Sequence, residues 1–200
     1  MQPKIDLRVI KTQANIKNTF IELLSKKTFT EITIQNILDQ ALINRSTFYK
    51  HYSDKYELAE QLIDEIMKKA TVFITERFSN MKDDELFSII YKAYEYVYDN
   101  KKTILALWKI RTDKLHPYDD LQGLLKKYCM EYLTAHNAIQ DSSMLDYYST
   151  LYASLGLTTI KWILECGNEP DIAKIIEQFK YTLRGSLWLK SNGGSIDTKS

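Results

Sequence analysis

Within its first 55 residues the chain breaks its helical period three times at short intervals: at KTFTEIT, at Ala41-Leu42-Ile43-Asn44, and at Ser53-Asp54. This rhythm leaves room for three short helices, and for few folds other than a small helical head followed by a longer helix. From Asp6 to Lys26, Val9, Ile16, Phe20 and Leu23 recur at helical spacing and predict a first amphipathic helix. Thr33 is a good N-cap for a second helix with Ile34, Ile37 and Leu38 on one face. After the tight connection Ala41-Leu42-Ile43, Asn44 can cap a third helix running from Arg45 to about His51. Asp54, with Glu57 three residues on, predicts a capping-box-like start to a long helix reaching about Asn80.

Beyond this head, helical periods place further helices near 83–99, 101–112, 119–137, 142–166 and 170–189. Gly167 suits the residue that closes the fourth of these, and Pro170 the first turn of the last. With only 6 Gly and 3 Pro in 200 residues, the chain is expected to be all-α. The expected organisation is a helix-turn-helix domain over 1–53, a helical regulatory and dimerisation domain over 54–190, and a loose tail over 191–200.

The short helix in ALINRSTFYKHYSDK carries an unusual mixture. Phe48 and Ile43 are expected to point inward, against Ile34, Leu38 and Phe20. Arg45, Ser46, Thr47, Tyr49, Lys50 and His51 then lie largely outside, where a plain solvated face would carry more acid and fewer hydroxyls and rings. Arg45 can reach a guanine edge in the major groove, or a phosphate if the docking is shallower. Ser46 and Thr47 can contact phosphate or a thymine methyl, and Tyr49 and His51 can donate to phosphate oxygens. Lys55 stands in the first turn of the next helix, a poor place for a cation unless helix amides and ammonium share a bound phosphate. A net charge of +1 requires any such basic surface to be local.

The segment ITIQNILDQALINRSTFYKHYSDKYELAEQLI resembles the DNA-binding domain of the TetR/AcrR family of transcriptional regulators, and DLRVIKTQANIKNTFIELLSKKTFTEITI resembles that family's first helix and the approach to its second. INRSTFYKHYSDK is similar in particular to a branch that includes dihydroxyacetone kinase regulator-like proteins. The close likeness covers residues 7–63; further on, WILECGNEPDIAKII is similar to the end of that branch's regulatory domain. The resemblance implies that Thr33, Arg45, Ser46, Thr47, Tyr49, Lys50, His51 and Lys55 face DNA, with Asn44 opening the same helix, and that Phe48 and Tyr52 are structural. The chain departs from the family at Leu42, where glycine is common in the turn; a leucine there meets strain of about 1–2 kcal/mol if φ is positive.

The larger half holds most of the aromatics. Tyr91, Tyr94, Tyr98, Trp108, Tyr128, Tyr132, Tyr148, Tyr152 and Trp162 are compatible with inward faces, either as an aromatic-rich core or as a ligand pocket. The pocket candidates are Tyr94, Trp108, Tyr128, Tyr148, Tyr152 and Trp162. Ser149, Ala153, Gly156 and Ile160 form a mostly small line, and Ile172, Ile176, Phe179 and Leu183 belong to an apolar stripe; these are the candidate dimer interface.

Catalysis finds little support. The three histidines lack metal-ligand spacing and a fixed carboxylate partner, there is no phosphate-cradling glycine loop, and Cys129 and Cys166 read as reduced thiols. No cofactor or metal is expected. The N-terminus lacks the apolar run of a signal peptide, and no stretch is long and apolar enough to span a bilayer, so a cytoplasmic protein is expected. The resulting expectation is a homodimeric regulator, a repressor in most relatives, that binds a palindromic operator in double-stranded DNA and is switched by a small-molecule effector. An alternative is a helical adaptor that keeps the helix-turn-helix as scaffold, and a third is an all-α enzyme using the aromatic cavity.

Overall fold

The computed structural model describes residues 7–79, 83–166, 171, 173–175 and 177–178. Eight helices are ordered along these residues: α1 (Leu7–Lys26), α2 (Ile34–Ala41), α3 (Arg45–Tyr49), α4 (Lys55–Ser79), α5 (Asp83–Asp99), α6 (Lys101–Leu107), α7 (Pro117–Ala135) and α8 (Ser142–Glu165). The fold is all-α, with no strand among the described residues. The expected last helix, with Gly167, Pro170, Ile172, Ile176, Phe179 and Leu183, and the tail 191–200 lie largely or wholly outside the described residues.

The helix starts follow local chemistry. At α2 the caps are reciprocal: Asn36 N–H donates to Thr33 Oγ1 at 3.1 Å, and Thr33 N–H donates to Asn36 Oδ1 at 3.1 Å. Asn44 Oδ1 accepts from Thr47 N–H at 2.8 Å and opens α3. At α4, Asp54 Oδ1 accepts from the amides of Tyr56 and Glu57 at 2.7 and 2.9 Å, while the Glu57 carboxylate reaches back to Ser53 N–H at 2.6 Å. The box is therefore staggered by one residue from the expected Asp54–Glu57 pair. Asp141 caps α8 by accepting from Ser143 and Met144 amides.

The chain forms two compact units. The first holds the described residues up to Thr71 together with Tyr96–Asp120; the second holds Val72–Glu95 and the described residues from Leu121 onward. This differs from the expected boundary at 53/54, and burial gives the reason. Ile16, Phe20 and Leu24 of α1, Ile37 and Leu38 of α2, and Phe48 of α3 share one core with Leu58, Ala59, Leu62 and Ile63 of α4. Ala106 and Leu107 of α6, and Ile110 and Leu115 after it, belong to the same core. Val9, expected on the apolar face of α1, is 42% exposed and stands outside that core.

Helix α6 ends at Leu107, short of the expected 112. Burying both Ile110 and Leu115 requires the chain to fold back between them. Thr112 holds that turn: its hydroxyl accepts from the amides of Lys114 and Leu115 at 3.2 and 3.0 Å. In the second unit, α8 turns Ser149, Ala153, Leu157 and Leu164 inward, all at 0% exposure.

One buried polar atom stands out in the first core. Tyr52 is 1% exposed, and its hydroxyl has no hydrogen-bond partner among the described residues. Burial, with Glu65 and Glu57 nearby, pushes its pKa up to about 12. Tyr52→Phe is expected to be neutral or stabilising by about 1 kcal/mol, because it removes an unsatisfied buried donor. It should also flatten the alkaline side of the stability curve. The raised folded-state value makes rising pH favour the unfolded chain from about 10 to about 12, and phenylalanine has no such ionisation. Denaturant midpoints of both proteins at neutral and alkaline pH check both effects.

Candidate nucleic-acid interface

Helix α3 is five residues long and cannot persist on its own propensity, so packing must hold it. Phe48 supplies the anchor at 0% exposure, with its ring 5.7 Å from that of Tyr52. Ile34 and Ile43 pack partly buried against the same cluster. With Phe48 turned in, Arg45, Ser46, Tyr49 and Lys50 are exposed, and Thr47 and His51 are half-buried. Neither Arg45 nor Lys50 forms an ion pair among the described residues. Thus six of the nine expected site residues share one short segment on the outer side of the first unit.

The other three have structural duties. Asn44 is a hub: beyond the Thr47 amide, its Oδ1 accepts from the Ser46 hydroxyl at 2.8 Å and the Thr47 hydroxyl at 2.7 Å. Those hydroxyl hydrogens are engaged, so Ser46 and Thr47 keep oxygen lone pairs, rather than donors, for a partner. Thr33 is exposed at the N-terminus of α2 while its hydroxyl caps that helix.

Lys55 corrects the sequence reading. Its ammonium donates to the carbonyls of Phe29 at 2.8 Å, Thr30 at 3.3 Å and Ile32 at 2.7 Å, and lies 4.7 Å from the Phe29 ring centroid. All three N–H donors thus meet main-chain oxygens, and none is directed to a phosphate. Burial draws its pKa below the ordinary lysine value. The loop it ties is also closed from within, since Thr28 donates to Glu31 Oε2 from its amide at 2.9 Å and its hydroxyl at 2.7 Å. These hydrogen bonds hold the Glu31 carboxyl below its usual range.

The turn between α2 and α3 carries the departure noted in the sequence. Leu42 adopts φ 54° and ψ 45°, the left-handed conformation, and donates its amide to Leu38 O as the C-cap of α2. Its side chain is 91% exposed, so nothing packs to offset the strain. Leu42→Gly is expected to raise the unfolding midpoint by the equivalent of about 0.5–1 kcal/mol, the left-handed cost less glycine's added chain entropy.

No protein-family model matches the chain. An uncharacterized HTH-type transcriptional regulator, YxbF of Bacillus subtilis (strain 168), is 32% identical over 89 residues, which cover 42% of this chain and 23% of that protein. The chain thus spans under a quarter of that relative's length. Among solved structures, a TetR transcriptional regulator from Streptococcus agalactiae 2603V superposes with a TM-score of 0.61 at 20% identity, over 88% of this chain and 95% of that one. The chain has the TetR-family fold. NalD of Pseudomonas aeruginosa, the secondary repressor of the MexAB-OprM multidrug efflux pump, gives a TM-score of 0.62 at 16% identity, over 88% and 97% of the two chains. The dihydroxyacetone kinase operon activator DhaS gives 0.52 at 14%, over 90% and 97%, in keeping with the branch that INRSTFYKHYSDK resembles. By name, these proteins are regulators and none is an enzyme. In the TetR-type frame, α2 and α3 are the helix-turn-helix. No helix among the described residues is long and apolar enough to cross a membrane.

The second unit revises the remaining candidate sites. Ser149 and Ala153 are fully buried within the chain and have no surface to offer a second copy. Gly156 and Ile160, half-buried, fall on the same side of the helix at 100° per residue. The line of small residues is therefore an inward packing face. Trp162, expected in a pocket, is 56% exposed. Trp108 belongs to the first unit, where its ring meets Tyr118 edge-on at 5.2 Å. Tyr94 packs beside Ile163, Ile90 and Ile175. Tyr128, Tyr148 and Tyr152 are half-buried; Tyr91 at 53% and Tyr98 at 38% exposure face outward.

Proposed function

We propose that this chain is a sequence-specific DNA-binding transcriptional regulator that works as a homodimer, reads a palindromic operator with α3, and is switched by a small molecule bound in its second unit. The observation that carries this reading is α3 itself: one inward phenylalanine and an outer surface of arginine, lysine, tyrosine and hydroxyls. An adaptor that merely kept the helix as scaffold would have no use for an Arg45 and a Lys50 that pair with no carboxylate among the described residues. Named proteins of this fold include a repressor and an activator. We infer that this chain represses.

Dimerisation has physical support on α8. Met144, Tyr147 and Trp162, at 47%, 56% and 56% exposure, share one side of the helix with the half-buried Leu151 and Leu155. An apolar stripe of this kind on an outer helix face is suited to self-association. A two-fold dimer would also set two copies of α3 about one duplex turn, or a multiple of it, apart.

Selection from random duplex DNA, repeated across salt concentrations, tests the reading. An enriched palindrome, with affinity falling steeply as salt rises, is expected. Failure to enrich any sequence with folded protein would overturn it. Arg45→Ala should weaken binding to the enriched site by roughly tenfold or more while leaving non-specific binding nearly intact, as for a side chain that reads a base edge. Equal loss on both would reassign Arg45 to a phosphate.

A further inference from the structure

Near the end of α4 a cation stands in aromatic surroundings. Arg77 is half-buried, and among the described residues no carboxylate pairs with it. Its guanidinium lies 5.5 Å from the ring of Phe78. Phe78 in turn lies 5.7 Å from Tyr132 of α7 and 5.6 Å from Tyr152 of α8, so three rings from three helices converge beside the charge. Arg77 hydrogen-bonds Tyr152, and its charge also acts on Tyr132 and on the buried Cys129.

None of these neighbours can neutralise it at ordinary pH. Burial raises the phenols of Tyr132 and Tyr152 and pushes the Cys129 thiol up to about 12, so all three stay protonated. Two acidic residues on the same helices are otherwise placed: Glu76 is exposed, and Glu131 is exposed and pairs with Lys127. A half-buried guanidinium loses hydration and gains only neutral partners, which is costly unless an anion completes the site. Its planar fork matches a carboxylate through two parallel hydrogen bonds, and its faces and the adjacent rings favour a flat guest.

We propose that Arg77, with Tyr132 and Tyr152, is the recognition point for an anionic effector: a small aromatic carboxylic acid whose carboxylate sits on the guanidinium. This rests on the effector reading above and narrows it to a chemical class. The guanidinium supplies charge and orientation, the two phenols flank it, and the Phe78 ring offers a surface for the guest's own ring. A neutral isostere would leave the arginine uncompensated, so the site discriminates by charge rather than by size.

Calorimetric titration of the full chain with benzoate, phenylacetate and cinnamate, each against its primary amide, tests the assignment. At least one acid is expected to bind, with its amide weaker by roughly ten- to hundredfold, the worth of a charge-assisted pair. Arg77→Gln should remove that preference, Arg77→Lys should restore only part of it, and Tyr152→Phe should weaken the acid alone. Acids and amides that bind equally, with no effect of Arg77→Gln, would overturn the anionic assignment and leave an effector site standing. No binding of any acid at millimolar concentration would also overturn it, with DNA selection unaffected. A loss of folding stability in Arg77→Gln without any change in ligand preference would assign Arg77 to the C-terminal dipole of α4 instead.

Discussion

Lys55→Met is expected to lower the folding stability of the first unit by about 2 kcal/mol and to leave the salt dependence of DNA binding unchanged. Methionine keeps the length of the stem and its packing over Phe29, so the change isolates the ammonium. That ammonium binds the Phe29 and Ile32 carbonyls at 2.8 and 2.7 Å and the Thr30 carbonyl at 3.3 Å. Hydrogen bonds from a charged donor contribute about 1.5–3 kcal/mol each in favourable cases, and partial access of water to this loop reduces their sum. Chemical denaturation followed by helical circular dichroism measures the loss, and DNA titrations over a salt series measure the slope. If Lys55 instead held a phosphate, stability would be unchanged and the logarithmic salt slope would fall by about one unit. The two outcomes do not overlap.

Phe48→Ala should be more damaging, at about 3–5 kcal/mol, the usual cost of deleting a fully buried aromatic ring. Its ring is 0% exposed, edge-on to Tyr49 at 5.7 Å and tilted on Tyr52 at 5.7 Å. It is also the one fully buried side chain of a five-residue helix. A cavity there releases α3 from the core, so specific DNA binding should fail at temperatures where the rest of the chain is still helical. Thermal unfolding with DNA binding measured in parallel checks this; a loss below about 1 kcal/mol would show that α3 is held by its caps rather than by its anchor.

The sequence was most legible where a single local rule decides the outcome. Thr33 and Asn44 cap helices because an oxygen one residue ahead of an apolar period has few other tasks. The inward place of Phe48 followed from its being alone among polar neighbours. Reading failed where a residue has two plausible partners far apart in sequence. Lys55 looked misplaced by the dipole rule because its partners, Phe29, Thr30 and Ile32, lie on a loop 23–26 residues earlier. On α8 two stripes could face inward, and small residues do not reveal whether their close neighbour belongs to the same chain or to another; Ser149 and Ala153 proved internal. The Thr33–Asn36 box escaped notice because asparagine stands where glutamate or glutamine is usual. Arg77 gave no signal at all, since its neighbours on α7 and α8 lie more than fifty positions away.

The shared burial of Ile110 and Leu115 with α1–α4 reaches beyond stability. A fragment ending at residue 53 would expose the apolar sides of α1 and α2 and should aggregate rather than fold. Anyone grafting this head onto another protein would need to carry residues 96–120 along with it, because the first unit is stitched from two separate stretches of the chain. The same stitching has an evolutionary side. Recombination at a single breakpoint cannot exchange the head cleanly, since one cut always leaves one of its two segments behind.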